Sequence, residues 1–439
     1  MMRIDTGVLG FRTAAVVLGL AATWCGLADW PQFRGPEHDG KSASPIRARW
    51  PASGLEPLWK VPTTGGFSVF AVVGDRAYTL MTREFEGARR ESCVAIEAAT
   101  GKELWAVPVG VAKYDGGGDS GADGNKGGDG PRATPTIHDG RVYVLNAQLK
   151  LICLKAESGE TVWSKDLIAD HGGRMIAWQN AASAILDGGL IYLCCGAEVG
   201  SLMALSAEDG SVVWKGESDK MTHVSPVPVT LGGVRQVIFF TQRGLVSADA
   251  KTGQVLWRHP FRYSVSTAAS PVVFGDIVYC SAGYGVGSAA VRVSRQGGGF
   301  TVKELWRVAD NKLANHWSTP VVKDGYLYGL FGFKEYGVCP FKCVELATGK
   351  EMWSKPGFGP GGVVMAGGML VVLNDRGELV LIDPQPTAYK ELGRSPAVSG
   401  KCWNHPTVSN GRIFARSTKE GACFDVSVKT AAADSGRGP

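Results

Sequence analysis

Apolar residues in this chain fall in short alternating runs broken by glycine, and the runs recur. TPTIHDGRVYVL (Thr134 to Leu145) and TPVVKDGYLYGL (Thr319 to Leu330) each set two alternating stretches around an Asp-Gly turn, which predicts a β-hairpin. A second kind of segment follows the hairpins: CVAIEAATGKELW (Cys93 to Trp105), CLKAESGETVW (Cys153 to Trp163), ALSAEDGSVVW (Ala204 to Trp214), SADAKTGQVLW (Ser247 to Trp257) and CVELATGKEMW (Cys343 to Trp353). Each reads as an apolar strand, a turn whose Gly takes positive φ, and a strand carrying Trp. Leu305-Trp306 closes a degenerate copy, and successive Trp residues lie roughly 43 to 58 positions apart, the period of a propeller blade. The hairpin supplies strands A and B of each blade, and the Gly-Trp segment supplies C and D.

Such units begin near Val69, Thr134, Ser183, Ser225, Ser270, Thr319, Val363 and His405, which makes eight. The last, HPTVSNGRIFARSTKEGACFDVSV, stops before a fourth strand, whereas LEPLWKVP (Leu55 to Pro62) carries Trp59 ahead of the first. The N-terminal strand is therefore expected to complete blade eight, closing the ring and removing its edges. The fold class is all-β, an eight-bladed propeller of four-stranded antiparallel blades. Blade seven has Tyr389 where a Trp is expected. Cys153 and Cys343 share one repeat position with Ala95, Ala204 and Ser247, six residues before the turn Gly, so they read as small strand fillers. Cys402 and Cys423, both in blade eight, are the candidate disulfide.

Composition agrees with a turn-rich β protein: 60 Gly and 22 Pro accompany 44% hydrophobic residues in 439. The first residues place Arg3 and Arg12 ahead of an apolar run, Thr13 to Cys25, that is too short to span a bilayer and reads as a secretory signal. Cleavage is expected near Asp29, and the bulky Trp24 before Cys25 argues against lipidation. The expected organisation is a signal peptide over 1–28, an N-terminal arm over 29–54, the propeller over 55–428 and a disordered tail over 429–439. No later segment has the length and apolarity of a transmembrane span. The net charge of +5 forms no basic stripe, which argues against nucleic-acid binding. No CxxCH, GxSxG or HExxH motif occurs, so covalent haem, a nucleophile elbow and a zincin site have no support.

Candidate chemistry concentrates in the loops leading into the innermost strands: GDGPRATP (Gly128 to Pro135), AWQNAAS (Ala177 to Ser183), THVSP (Thr222 to Pro226), NHWSTP (Asn315 to Pro320) and CWNHP (Cys402 to Pro406). These loops converge on the mouth of a propeller's channel. Arg132, Trp178, Gln179, Asn180, His223, His316, Trp317, Trp403, Asn404 and His405 would share that face. They make it cationic, aromatic and amide-rich, suited to an anionic or planar polar ligand. Equally, such side chains can cap strand ends and plug the channel. The insertion KYDGGGDSGADGNKGGDG (Lys113 to Gly130) sets Asp115, Asp119, Asp123 and Asp129 among glycines, as calcium loops do, without EF-hand order or a closing Glu.

ALSAEDGSVVW and its copies resemble the PQQ (pyrroloquinoline quinone) repeat of the quinoprotein alcohol dehydrogenase-like superfamily, over Trp59 to about Val428. DWPQFRGPEHDG (Asp29 to Gly40), GDGPRATP and NHWSTPVVKDGYLYG resemble exported bacterial proteins of the PQQ-binding-like group. The resemblance implies either of two roles. Dehydrogenases of the superfamily hold PQQ with calcium, using Glu and Asn ligands, an Asp base, an Arg and a Trp platform. Scaffold members, such as the lipoprotein of the outer-membrane barrel assembly machine, bind protein instead. For PQQ, Arg132 would supply charge, Trp178, Trp317 or Trp403 stacking, His223 a polar contact, and Asn180 or Asn404 a calcium ligand; Glu198 and the Asp residues of the insertion are the carboxylates in range. Cys194-Cys195 resembles the vicinal cysteines of some dehydrogenases. The reading preferred from sequence is a noncatalytic binding or scaffolding propeller of the cell envelope, periplasmic or secreted and monomeric, taking an envelope protein or a small polar ligand. A PQQ- and calcium-dependent alcohol or polyol dehydrogenase passing electrons to a separate carrier is the first alternative, and a polysaccharide-binding propeller the second.

Overall fold

The structure, a computed structural model, describes residues 28–114, 116–122, 127–333 and 338–428. The expected signal segment up to residue 27, the tail 429–439, Asp115 and Asp123 lie outside the described residues. Eight antiparallel sheets form the blades of a ring. Blade three shows the plan, with Ile185–Asp187, Leu190–Cys194, Leu202–Ser206 and Val212–Gly216 paired in order from the channel outward. Blade eight takes Thr407–Ser409, Arg412–Arg416 and Glu420–Asp425 from the C-terminal side and Pro57–Pro62 as its outer strand. The ring is closed by the N-terminal strand, as the sequence predicts. Among the described residues the only helix is the short Leu167–His171.

The repeated Trp holds each seam by one geometry. Within a blade it stands opposite the small repeat position: Ala95 faces Trp105, Cys153 Trp163, Ala204 Trp214, Ser247 Trp257, Cys343 Trp353 and Cys423 Trp59. In each case the strand D residue just before the Trp is bulged, which bends the strand. The indole lies on the next blade's turn Gly. A Cβ on Gly101, Gly159, Gly210, Gly253 or Gly349 would come within 2.5 to 2.9 Å of Trp59, Trp105, Trp163, Trp214 or Trp306, respectively. The same five indole Nε1 groups donate to a carbonyl of that turn at 2.8 to 3.1 Å. These glycines also take φ of +71° to +75°, so two separate constraints exclude a side chain there. Each indole takes on the order of 200 Å² out of water, about 5 kcal/mol before conformational entropy is charged.

Two seams differ. Blade five has a long C–D hairpin, Gly287–Gln296 and Gly299–Val308, in place of the Gly turn. Trp257 accordingly donates to Gln236 Oε1 of its own blade at 2.6 Å. In blade seven the Trp position is held by Gly393, paired with Leu381 just before the bulge, and not by Tyr389. Trp50 of the N-terminal arm packs over this glycine, 3.0 Å from where its Cβ would stand, and joins the seam of blades seven and eight. Tyr389 instead meets Trp353 of blade six edge-on, with ring centroids 5.7 Å apart.

All nine described cysteines are free thiols. Cys423 fills the position opposite Trp59, in a cluster separate from that of Cys402, so the expected pairing of these two is not formed. Cys194 and Cys195 are likewise unpaired, Cys194 Sγ lying 3.2 Å from Ser201 Oγ. Blades eight and one are further joined by Arg416, 1% exposed, whose guanidinium donates to Thr79 Oγ1 and the carbonyls of Leu80 and Gly65.

The arm crosses the channel. Trp30 bridges Val72 of blade one, the Pro31 carbonyl accepts from Ile137 N of blade two, and Gln32 exchanges hydrogen bonds with both backbone groups of Leu186 in blade three. The buried Arg34 donates to the Thr319 and Pro320 carbonyls of blade six, and Lys41–Ser42 pairs in parallel with Gly362–Ala366 of blade seven. The inner edges of strands A, which the ring leaves unpaired, thus find partners in the arm.

Two Gly-to-Ala substitutions separate backbone strain from seam packing. Gly188→Ala places a Cβ at φ +57° with nothing within 4 Å and is expected to cost about 1 kcal/mol. Gly253→Ala adds the clash with Trp214 and is expected to cost about 1 to 3 kcal/mol more, read from urea unfolding midpoints; equal losses would mean that the indole contact contributes nothing.

Candidate functional site

Loops leading into the innermost strands all lie on one face of the ring, called the mouth face; the A–B and C–D turns lie on the other. Much of what these loops contain is construction. Val69 N donates to Thr134 Oγ1, Thr134 N to Ser183 Oγ, Ser183 N to Ser225 Oγ, and Ser270 N to Thr319 Oγ1, at 2.9 to 3.4 Å. Each hydroxyl ties its blade to the one before, so the recurring Ser or Thr ahead of strand A forms a girdle around the channel.

Inside the girdle is a cup of about 450 Å³. Arg132, Trp178, His223, Trp317, Trp403 and Asn404 all line it, together with His316 and His405. Asn180 does not. Its side chain, 1% exposed, bonds the Asn146 and Ala182 carbonyls and Ala182 N, which fixes its own loop. Phe33, from the arm, stands in the cup and meets the His405 ring at 5.3 Å. Phe67 and Tyr284 add two further rings. Sequence reasoning missed Phe33 and Tyr284 because neither lies in a loop leading into an innermost strand, and Phe67 because the loop into blade one, residues 63–70, carries none of the Arg, His, Trp or Asn residues that mark the others.

Two aromatic walls result. On one side Phe67, Trp403 and Trp317 stack in series, with centroids 5.3 and 4.6 Å apart and planes 20° and 29° from parallel. Trp317 is anchored by Nε1 on the Pro360 carbonyl at 2.9 Å, and Lys401 Nζ lies 4.7 Å from the Trp403 ring. On the other side Trp178 and Gln179 have φ of +62° and +59°, conformations costly for side-chain residues and common at ligand sites. Arg132 Nη1 holds the Trp178 carbonyl at 3.3 Å, and His223 Nε2 holds that of Ala177 at 3.0 Å.

Arg132 is the cup's cation. Its guanidinium lies 4.1 Å over the Tyr114 ring and donates to the Gly128 carbonyl. Beneath, the Tyr114 hydroxyl donates to Glu91 Oε1 at 2.6 Å, and Ala147 N donates to Oε2 at 3.1 Å. Burial raises Glu91 to about 7 against these bonds. The sequence gives no warning of this carboxylate, which sits within strand C, Ala88–Glu97, where the pairing with strand D shifts register between Glu91 and Ser92. Glu198, in contrast, is exposed and paired with Arg174 at 2.6 Å, outside the cup. Asp119 and Asp129 accept the backbone N–H groups of Gly121 and Tyr114, the work of turn caps. Among the described residues no Asp or Glu lines the cup, and no three His, Cys, Asp or Glu groups gather as metal ligands.

Two of the three cup imidazoles, His223 and His405, have fixed tautomers. His223 Nε2 faces a carbonyl and so carries the proton, leaving Nδ1 to accept from Ser266 Oγ at 2.9 Å. His405 Nδ1 faces the Pro406 carbonyl at 2.9 Å, leaving Nε2 as a bare acceptor. Burial pushes His38, His223 and His405 each down to about 4 from 6.5, so all three are neutral near pH 7. In the unfolded chain they take up protons below 6.5, which the folded protein resists until about 4; their contribution to stability is lost as pH falls through that window. Glu91 acts oppositely, its contribution falling as pH rises from 4.5 to 7. Three imidazoles outweigh one carboxyl, so the thermal midpoint is expected to drop between pH 6.5 and 4.5. Glu91→Gln should steepen the drop and His223→Gln should flatten it; a level wild-type profile by scanning calorimetry would contradict this balance.

A family model described as outer membrane protein assembly factor BamB matches residues 89–330. The outer membrane protein assembly factor BamB of Moranella endobia is 25% identical over 269 residues, 57% of this chain and 63% of its own length, so the chain spans less than two thirds of that relative. Among solved structures, BamB from Moraxella catarrhalis superposes with a TM-score of 0.57 at 15% identity, over 86% of this chain and 99% of that one. Quinohemoprotein alcohol dehydrogenase from Comamonas testosteroni gives 0.62 at 14% identity, over 93% and 82%. Both superpositions report fold alone. The match of residues 89–330, more than half of the chain, places this protein in the BamB family of PQQ-repeat propellers.

Proposed function

We infer that the protein is a noncatalytic binding or scaffolding propeller of the cell envelope, periplasmic or secreted, that works with an envelope partner in outer-membrane protein assembly. The family match and the name of the relative support the setting. The observation that carries the noncatalytic reading is the cup's lining: indole, phenyl, imidazole, guanidinium, amide and hydroxyl groups, with no carboxylate among the described residues. Among those residues, no helix is long and apolar enough to cross a membrane.

The dehydrogenase alternative needs groups that this lining does not offer. Calcium takes six to eight oxygens at about 2.3 to 2.6 Å, carboxylates chief among them, and alcohol oxidation needs a base within hydrogen-bond reach of the substrate. Among the described residues Asn404 Oδ1 is the one side-chain amide oxygen in the cup, and Glu91 is shielded behind Tyr114. The residues present do not fit a calcium-bound quinone, and no oxidation step is derived.

Loss of the protein from its host is expected to lower the amount of folded β-barrel protein in the outer membrane, with recovery on re-expression. Purified protein mixed with PQQ and calcium is expected to show no dye-linked oxidation across a panel of alcohols and polyols. Unchanged barrel levels combined with quinone-dependent turnover would overturn the reading.

A further inference from the structure

The cup has one opening. The arm occupies the channel below it, bonded to the inner strands of blades one, two, three, six and seven, with Phe33 and His405 packed together at the floor. A polymer therefore cannot thread the ring. Whatever binds is either small or the end of a chain.

Three features define its chemistry. Flat apolar faces stand on opposite arcs of the ring: Trp178 leads into blade three, and Trp317 and Trp403 lead into blades six and eight. Hydroxyl and amide groups occur between them: Ser225 and Thr319 each accept one backbone N–H and keep their own O–H to donate, while Asn404 Oδ1 has no partner within the protein. One cation, Arg132, faces the cup without a carboxylate in ion-pair range among the described residues. Ring faces flanked by many single hydrogen-bonding groups match a sugar, whose axial C–H face stacks on indole while its hydroxyls bond around the rim. The guanidinium has Glu91 and Asp129 within electrostatic reach behind it but no ion pair among the described residues, and it adds a preference for one anionic substituent.

We propose that the cup binds the terminal residues of an acidic glycan, a sugar ring lying against Trp317 or Trp178 with its carboxylate or sulfate directed to Arg132. This rests on the noncatalytic binding reading and gives the site a ligand class. A volume of about 450 Å³ is in the range of small-molecule sites, which run from about 300 to 1,000 Å³, so recognition is confined to a chain end.

Titration of the full chain with oligogalacturonic acids of increasing length, followed by tryptophan fluorescence and calorimetry, tests the assignment. Saturable one-to-one binding is expected, with affinity that stops rising after the first few sugars and exceeds that for the neutral galactose oligomers. A sulfated galactose oligomer distinguishes sulfate from carboxylate as the anion, and binding by either supports the proposal. Arg132→Gln should weaken the acidic probe about tenfold and the neutral one much less, while Arg132→Lys should restore part of the loss. Trp317→Ala should weaken both probes and Trp317→Phe should recover much of that, each variant being checked for a wild-type thermal midpoint. Equal affinity for acidic and neutral probes, affinity that grows steadily with length, or tight binding of PQQ with no response to any glycan would overturn the proposal. None of these results bears on barrel assembly, so the proposal and the scaffold reading fail separately.

Discussion

The contact on which this structure depends is an indole lying on a glycine of the next blade. In five seams the Trp Nε1 reaches a carbonyl of the turn and the ring covers the only residue without a side chain to obstruct it. Direction, distance and chemistry are all fixed at once. The bulge just before the Trp bends strand D into place, and the small residue opposite makes room inside the blade. Because the interaction is between neighbours, the ring can tolerate local departures. Trp257 finds an acceptor in its own blade, and Trp50 fills from the arm the space left by Gly393.

Ring closure is handled by residues 28–62, which act twice. Pro57–Pro62 supplies the outer strand of blade eight and delivers Trp59 onto Gly101 of blade one. The arm before it passes through the channel and meets backbone groups that a bare ring would leave without partners. A consequence for function is that the mouth face and the turn face are not equivalent. Only the mouth face keeps an open cavity, and its floor is part of the arm.

The repeat is shared between enzymes and scaffolds, so chemistry has to be judged from the cup. Among the described residues its lining holds no carboxylate. Glu91 is turned into the protein beneath Tyr114, Glu198 pairs outside with Arg174, and two of the three lining imidazoles, His223 and His405, are neutral through burial. The rest of the lining is aromatic faces and single hydrogen-bonding groups around one guanidinium.

Sequence by itself determined the architecture, because the information is local and repeated: strand alternation recurs in eight units, a turn Gly and a Trp at fixed spacing mark five of them, and the missing fourth strand identifies its own replacement. It also marked the convergence of Arg132, Trp178, His223, Trp317, Trp403 and Asn404, since every blade sends the same loop to the same face. It misplaced the Trp of blade seven, as Tyr389 lies close in the chain but Gly393 holds the register. It could not tell Asn180, spent on its own loop, from Asn404 in the cup wall, because residues of one type and similar context differ only in where the loop turns them. Nor could it foresee Phe33 at the floor or Glu91 behind Arg132. Those assignments depend on chain segments that meet only once the ring has closed, and no spacing along the sequence records a meeting of that kind.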